Sequence, residues 1–109
     1  MENTIKKLKE ANPQTFEEFF PLYLEAHSSV TNRRLHFIGT TLGLLLFPLA
    51  FLINNYMILF LSPVIGYGFA WIGHFYFESN IPATYSKPLW SFRGDFRMYG
   101  MMLRGKLWN

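Results

Sequence analysis

Apolar residues fill the middle of this chain with no charge among them. No Asp, Glu, Lys or Arg occurs between Arg34 and Glu78. Crossing roughly 30 Å of hydrocarbon takes about 20 apolar residues, so the stretch is too long for one span and suits two. Ile53-Asn54-Asn55-Tyr56 supplies the turn between them. The pattern predicts a first span over residues 35–53 and a second over 56–77. Pro48 and Pro63 fall inside them, which spans tolerate because neighbouring groups satisfy the carbonyls a proline frees. Gly39 and Gly43 form a small-residue pair on the first span, and Gly66, Ala70 and Gly73 line a strip on the second. Small residues at this spacing let helix backbones approach closely.

The flanks have a different rhythm. Over residues 14–29, Phe16, Phe19, Phe20, Tyr23, Leu24 and His27 recur every three or four positions, the period of an amphipathic helix. Thr15 can cap it, and Glu17 and Glu18 suit the positive end of its dipole. Pro21 can kink it or shift its boundary. After the loop chemistry of Ser79 to Ala83, Pro88 can open a last helix over 88–106. There Leu89, Trp90, Phe92, Phe96 and Tyr99 alternate with Arg93, Arg97, Arg104 and Lys106. Both flanking helices fit a membrane interface, while the last could equally be a terminal helix packed on the spans. The expected fold is an all-α membrane protein, one domain over 1–109: two transmembrane helices in a hairpin, flanked by N- and C-terminal interfacial amphipathic helices. Two helices alone bury little surface, so a homo-oligomer is expected.

Composition and charge narrow the function. The first thirteen residues are polar and mixed in charge, unlike a signal peptide. The absence of cysteine removes thiol nucleophiles and thiolate metal sites. All Lys and Arg lie before residue 35 or after residue 86, which predicts an integral membrane protein (inner membrane in a bacterium) with both termini cytoplasmic. The basic residues form no stripe, so no nucleic-acid partner is expected. Neither a phosphate-binding glycine loop nor a nucleophile elbow is present.

The chemistry that remains is histidine. An antiparallel hairpin brings His36, at the start of the first span, to the depth of His74, at the end of the second. His27 sits on the helix that feeds the first span. Asn32 and His36 are four residues apart, as are His74 and Glu78, so each pair shares a helix face. Ionisable groups at the edge of a span usually face the bundle interior. Neutral imidazoles with a carboxylate suit a divalent metal such as iron, leaving positions open for oxygen and substrate. Proton handling is a second reading, and hydrogen-bonded helix glue a third. Arg33 and Arg34 could bind a carboxylate or phosphate, or simply anchor the cytoplasmic side. Asp95, between Arg93 and Arg97, reads as part of a solvated or interfacial charge pattern.

Two motifs go beyond spacing: His27-x4-Asn32-x3-His36-x2-Gly39, and Gly73-His74-x3-Glu78-x-Asn80-x-Pro82-Ala83. In this order they resemble the small membrane-protein family typified by the fungal 2-hydroxy fatty acid dioxygenase of α-oxidation. The tail from Pro88 to Met98 is similar to the compact bacterial branch of that family. The resemblance implies an Fe(II)-dependent dioxygenase that shortens a 2-hydroxy fatty acid, or a related amphiphilic acid, by one carbon. It implies that His27, His36 and His74 hold the iron. Asn32 and Glu78 match motif positions and join Arg33 as candidate catalytic residues, with Arg33 or Arg34 expected at the substrate carboxylate. Expected partners are the amphiphilic substrate and membrane lipids. The alternative is a non-enzymatic membrane protein, lipid-binding or an oligomeric transporter, whose histidines are structural.

Overall fold

A computed structural model describes residues 3–109, and every regular element among them is helical. In order these are α1 (Thr4–Ala11), α2 (Phe16–Glu25), α3 (Val30–Leu52), a long second helix over Tyr56–Glu78, a short 3₁₀ helix (Ala83–Tyr85) and α5 (Pro88–Leu103). The long second helix changes form along its length. It opens as a 3₁₀ helix (Tyr56–Phe60), continues as α4 (Leu61–Ile72) and ends as a π-helix (Gly73–Glu78).

Helix α1 departs from expectation, since residues 3–11 read as a polar lead-in. Asn3 caps it by accepting the Lys6 N–H at 3.0 Å, and Leu8 seals it into the core. One buried leucine in eight residues leaves no periodic signal, and so short a helix depends on tertiary packing. Thr15 caps α2 as its position predicts, its Oγ1 accepting the Glu18 N–H at 3.1 Å. Pro21 lies inside α2, which runs on to Glu25.

Helix α3 starts at Val30, five residues before the predicted span, because Ser29 caps it by accepting the Asn32 N–H. Hydropathy marks where lipid-compatible sequence begins; capping marks where the helix begins. The turn after α3 places Asn54 in the left-handed region (φ 53°). Pro63 sits in the first turn of α4, where its missing N–H is least needed.

The two long helices, Val30–Leu52 and Tyr56–Glu78, are apolar and long enough to cross a membrane. Only 22% and 11% of their most apolar windows are buried. Phe51, Leu52, Met57 and Phe60 are exposed along them. They pack antiparallel through glycines. A Cβ on Gly39 would stand 2.7 Å from the Phe69 Cβ, and one on Gly43 would stand 3.1 Å from Ser62 Oγ. The compact core lies at the other end of the molecule. Leu8, Phe16, Phe19, Phe20, Tyr23, Met98 and Met102 interlock there, and α5 packs on α2, on α3 and on the short helical turn Ala83–Tyr85. Arg93 lies 4.1 Å over the Phe16 ring and Arg97 lies 4.5 Å over Phe20, giving the basic residues of α5 a packing role as well as a charge.

Candidate metal centre

The antiparallel pairing sets two rungs opposite each other. On the inner rung His36 faces His74, their ring centroids 5.0 Å apart. On the outer rung Asn32 Nδ2 donates to Glu78 Oε2 at 3.0 Å. His27, between α2 and α3, completes the inner rung at 4.6 Å from the His36 ring and 4.5 Å from the His74 ring. All three histidines are buried.

Each ring is oriented through Nδ1. His27 Nδ1 meets the Tyr23 carbonyl oxygen at 2.6 Å, and His36 Nδ1 meets the Asn32 carbonyl oxygen at 2.9 Å. His74 Nδ1 meets Asn80 Oδ1 at 2.7 Å. The Asn80 amide is itself fixed, its Nδ2 donating to the Ala26 carbonyl at 2.9 Å. Every one of these partners is an acceptor, so each Nδ1 carries the proton and each Nε2 presents a lone pair. One ligand atom from each ring lies within 4.8 Å of the others.

That donor set fits a metal ion. His27 Nε2 and His36 Nε2 are 3.2 Å apart, the spacing of adjacent nitrogens around an ion with bonds of about 2.1 Å. Facing lone pairs repel unless a cation lies between them. Burial, then the neighbouring His36 and His74, pushes His27 well below the ordinary imidazole range, which keeps it neutral and able to ligate. The chamber the rings line, about 10 Å³, has room for one ion or water. Ser91 Oγ, buried and without a hydrogen-bond partner, lines this chamber with Tyr67 and Asp95.

The other predicted site residues support the rings from outside. Glu78 accepts the Ser28 and Ser29 N–H groups, the Ser28 hydroxyl and the Asn32 amide. It thereby holds the start of α3 against the π-helical end of the second long helix, as a carboxylate at a helix N-terminus should. Arg33 is turned away from the chamber. Its guanidinium donates to the carbonyls of His27, Ser28, Leu107 and Asn109, which leaves it committed to tying down the chain end. Arg34 is exposed and donates to the Trp108 carbonyl. Neither arginine lines the chamber or the groove beside it.

Sequence reasoning passed over three residues here. Asn80 lay in a motif without a role. In sequence Tyr23 is one position of an amphipathic face, yet its ring stacks on His27 with centroids 4.0 Å apart. In sequence Asp95 belongs to a solvated or interfacial charge pattern with Arg93 and Arg97. It is instead half-buried, accepts a hydrogen bond from the Tyr23 hydroxyl, and stands where the chamber meets the groove. Loss of solvation pushes its carboxyl up to about 7, against the opposing pull of that hydroxyl. The same burial and the Asp95 charge raise Tyr23 well above its ordinary value, so the tyrosine keeps the shared proton.

The groove itself has a volume of about 350 Å³ and runs from His36 along both long helices beside Phe92 and Phe96. A buried imidazole trio opening onto an apolar groove limits what the chain resembles, and residues 13–107 match the family described as Mpo1-like, 2-hydroxy-palmitic acid dioxygenase Mpo1-like. The chain belongs to the Mpo1-like family. Membership covers nearly all of the described chain, from just before α2 to just beyond α5, and so takes in all three histidines, Asn80 and Asp95. No curated protein and no solved structure matches it.

Proposed function

We propose that this protein is an integral membrane dioxygenase that uses Fe(II) to shorten a 2-hydroxy fatty acid by one carbon. The observation that carries the reading is the convergence of three buried imidazoles, one ligand atom from each within 4.8 Å of the others, on rings that are all held through Nδ1. His27, His36 and His74 would hold the iron, and Tyr23, Asn32 and Asn80 fix the rings for it. Bound there, iron would supply the one-electron chemistry that lets ground-state O2 react with a closed-shell acid. The reaction balances with no further reductant: the acid and one O2 give CO2, water and the acid one carbon shorter.

The two long helices cross the bilayer as a hairpin in this proposal, with both termini cytoplasmic and α2 and α5 at the interface. The exposed Phe and Leu side chains of the long helices would meet lipid. An acid entering from the bilayer keeps its chain in the groove and brings its head to His36 and Asp95. The half-buried Asp95 carboxyl is placed to exchange a proton with that head, and the Tyr23 hydroxyl holds it in position. Asn32, Glu78 and Arg33 act as positioning residues that keep α2, α3 and the second long helix in register.

Two measurements test this. Iron content of purified protein should fall in His27→Ala, His36→Ala and His74→Ala, each compared by size-exclusion profile with the parent. Iron-loaded protein supplied with air and 2-hydroxy-palmitic acid should yield the acid one carbon shorter. Unchanged iron in all three variants would end the metal assignment. Bound iron without product would end the substrate assignment.

A further inference from the structure

We propose that Ser91 receives the acid's carboxylate, its hydroxyl donating to one carboxylate oxygen inside the chamber. The identity of the acid rests on the function proposed above; the residue that grips its head does not.

Among the described residues, three buried side-chain oxygens have no hydrogen-bond partner: Thr4 Oγ1, Asn32 Oδ1 and Ser91 Oγ. Thr4 lies on α1 and lines neither chamber nor groove. Asn32 Oδ1 lies against Gly73, where a Cβ would stand 2.0 Å from it. Of the three residues, Ser91 is the one that lines the chamber, together with His27, His36 and His74, and it is only 1% exposed. A helical serine commonly turns its hydroxyl back to the carbonyl four residues earlier. Here the Lys87 carbonyl accepts the Ser91 N–H at 2.8 Å, and the hydroxyl does not join it. Burying an unpaired hydroxyl is unfavourable. Alanine would fill nearly the same space without that cost and is the better helix former, so packing does not account for the serine. A ligand that accepts a hydrogen bond does.

The position of Ser91 says which part of the ligand. Ser91 and Asp95 are four residues apart on α5 and share a face. Asp95 lines both chamber and groove, whereas Ser91 lines the chamber alone. The helix advances about 6 Å between them, which sets Ser91 one turn deeper than the junction. An acid whose chain lies in the groove leads with its carboxylate, past Asp95 and toward Ser91. Arg33 and Arg34 do not compete for it, being engaged with backbone carbonyls and lining neither space. The Nδ1 atoms of the three histidines and the Tyr23 hydroxyl are committed to other partners. The Ser91 hydroxyl is free to donate, and a hydrogen bond to an ionised oxygen is stronger than one to a neutral oxygen.

The test is anaerobic calorimetric titration of detergent-solubilised, iron-loaded protein with 2-hydroxy-dodecanoic acid, dodecanoic acid and dodecane-1,2-diol, which share a chain length. Ser91→Ala should weaken both acids about tenfold or more, the usual effect of a lost hydrogen bond to a charged group, and leave the diol unchanged. Its unfolding temperature without ligand should equal or exceed that of the parent, because a buried hydroxyl without a partner is removed. Ser91→Cys, close in size with a weaker donor, should lose part of the preference for acids and carries the test if the alanine variant does not fold. Thr41→Ala removes a 2.8 Å hydrogen bond to Tyr99 between α3 and α5 but lines neither chamber nor groove; it should leave the preference unchanged. Equal weakening of all three ligands, weakening of the 2-hydroxy acid alone, or an unmoved preference in Ser91→Ala overturns the proposal. Oxygen-dependent product with an unmoved preference would strike Ser91 and leave the dioxygenase reading. A preference that depends on Ser91, without product, would keep Ser91 and remove that reading.

Discussion

Asn32 and Gly73 meet so closely that a Cβ on Gly73 would stand 2.0 Å from Asn32 Oδ1 and 3.2 Å from the Asn32 Cα. Backbone lies on the far side of that contact, so a side chain at Gly73 must push α3 and the second long helix apart. Gly73 also precedes His74, and Asn32 carries the carbonyl that orients His36. Gly73→Ala should therefore lower stability by about 1–3 kcal/mol, the usual range for overpacking, and reduce iron retention as well. Gly100→Ala supplies the contrast, since a Cβ there meets nothing within 4 Å; it should stabilise α5 by up to about 1 kcal/mol through helix propensity. Thermal unfolding in detergent, read beside iron content, checks both. Equal stability of Gly73→Ala and the parent would contradict the close approach.

Asn80 supports the candidate metal centre from outside the histidine trio. It accepts from His74 Nδ1 and donates to the Ala26 carbonyl, so it fixes both the ring and the loop that delivers His27. Partners of this kind typically change metal affinity by 10–100-fold when removed. Asn80→Ala should weaken Co(II) or Fe(II) binding by about that factor with all three histidines intact. Asn80→Asp keeps an acceptor for Nδ1 and should retain more affinity than the alanine variant. Equal affinities for alanine and parent would show that the His74 ring needs no such support.

The two arginines separate a structural role from a substrate role. Arg33 uses a planar fork to reach four backbone carbonyls, geometry that a lysine ammonium cannot reproduce. Arg33→Lys should cost about 1.5–3 kcal/mol of stability, the range for charged hydrogen bonds, with KM for the 2-hydroxy acid unchanged in the folded fraction. Arg34→Ala, at an exposed position, should alter stability by less than about 0.5 kcal/mol. A raised KM with undiminished stability in Arg33→Lys would restore the arginine to the substrate.

What the sequence disclosed and what it withheld follow from the kind of signal each residue leaves. The two long helices announce themselves through a charge-free run between Arg34 and Glu78 that is long enough for two spans. The histidine trio is legible because antiparallel helices convert distant sequence positions into equal depths, a matter of rise per residue alone. The roles of Asn80 and Asp95 are not legible that way. Asn80 acts from a loop after a π-helical turn, where Ser79 takes a left-handed conformation (φ 56°), and no periodicity carries through such a turn. Asp95 lies among arginines in sequence, and only the packing of α5 on α2 turns it inward. Gly66 shares the small-residue strip with Gly73, yet one faces open groove and the other a neighbouring backbone. Spacing alone places both on a helix and cannot say what stands opposite.

Asp95 gives the site a pH dependence of known sign. Its carboxyl is near 3.9 in an unfolded chain and is pushed up to about 7 in the fold, mainly by burial. The folded state therefore favours the protonated acid. That contribution to stability is complete below about pH 4 and fades as pH rises through about 7. Histidines 27, 36 and 74 and Tyr67 share the chamber with Asp95, and Tyr23 bonds to it, so the effect is read as a difference between variants. Asp95→Asn has no carboxyl to titrate, and its unfolding temperature relative to the parent should rise from pH 4 to pH 7. In Tyr23→Phe the hydroxyl that favours the carboxylate is gone, so the same decline should move to higher pH. Parallel curves for parent and Asp95→Asn across that window would mean that the carboxyl is solvated as an ordinary surface acid, and its assignment to the mouth of the metal chamber would fall with it.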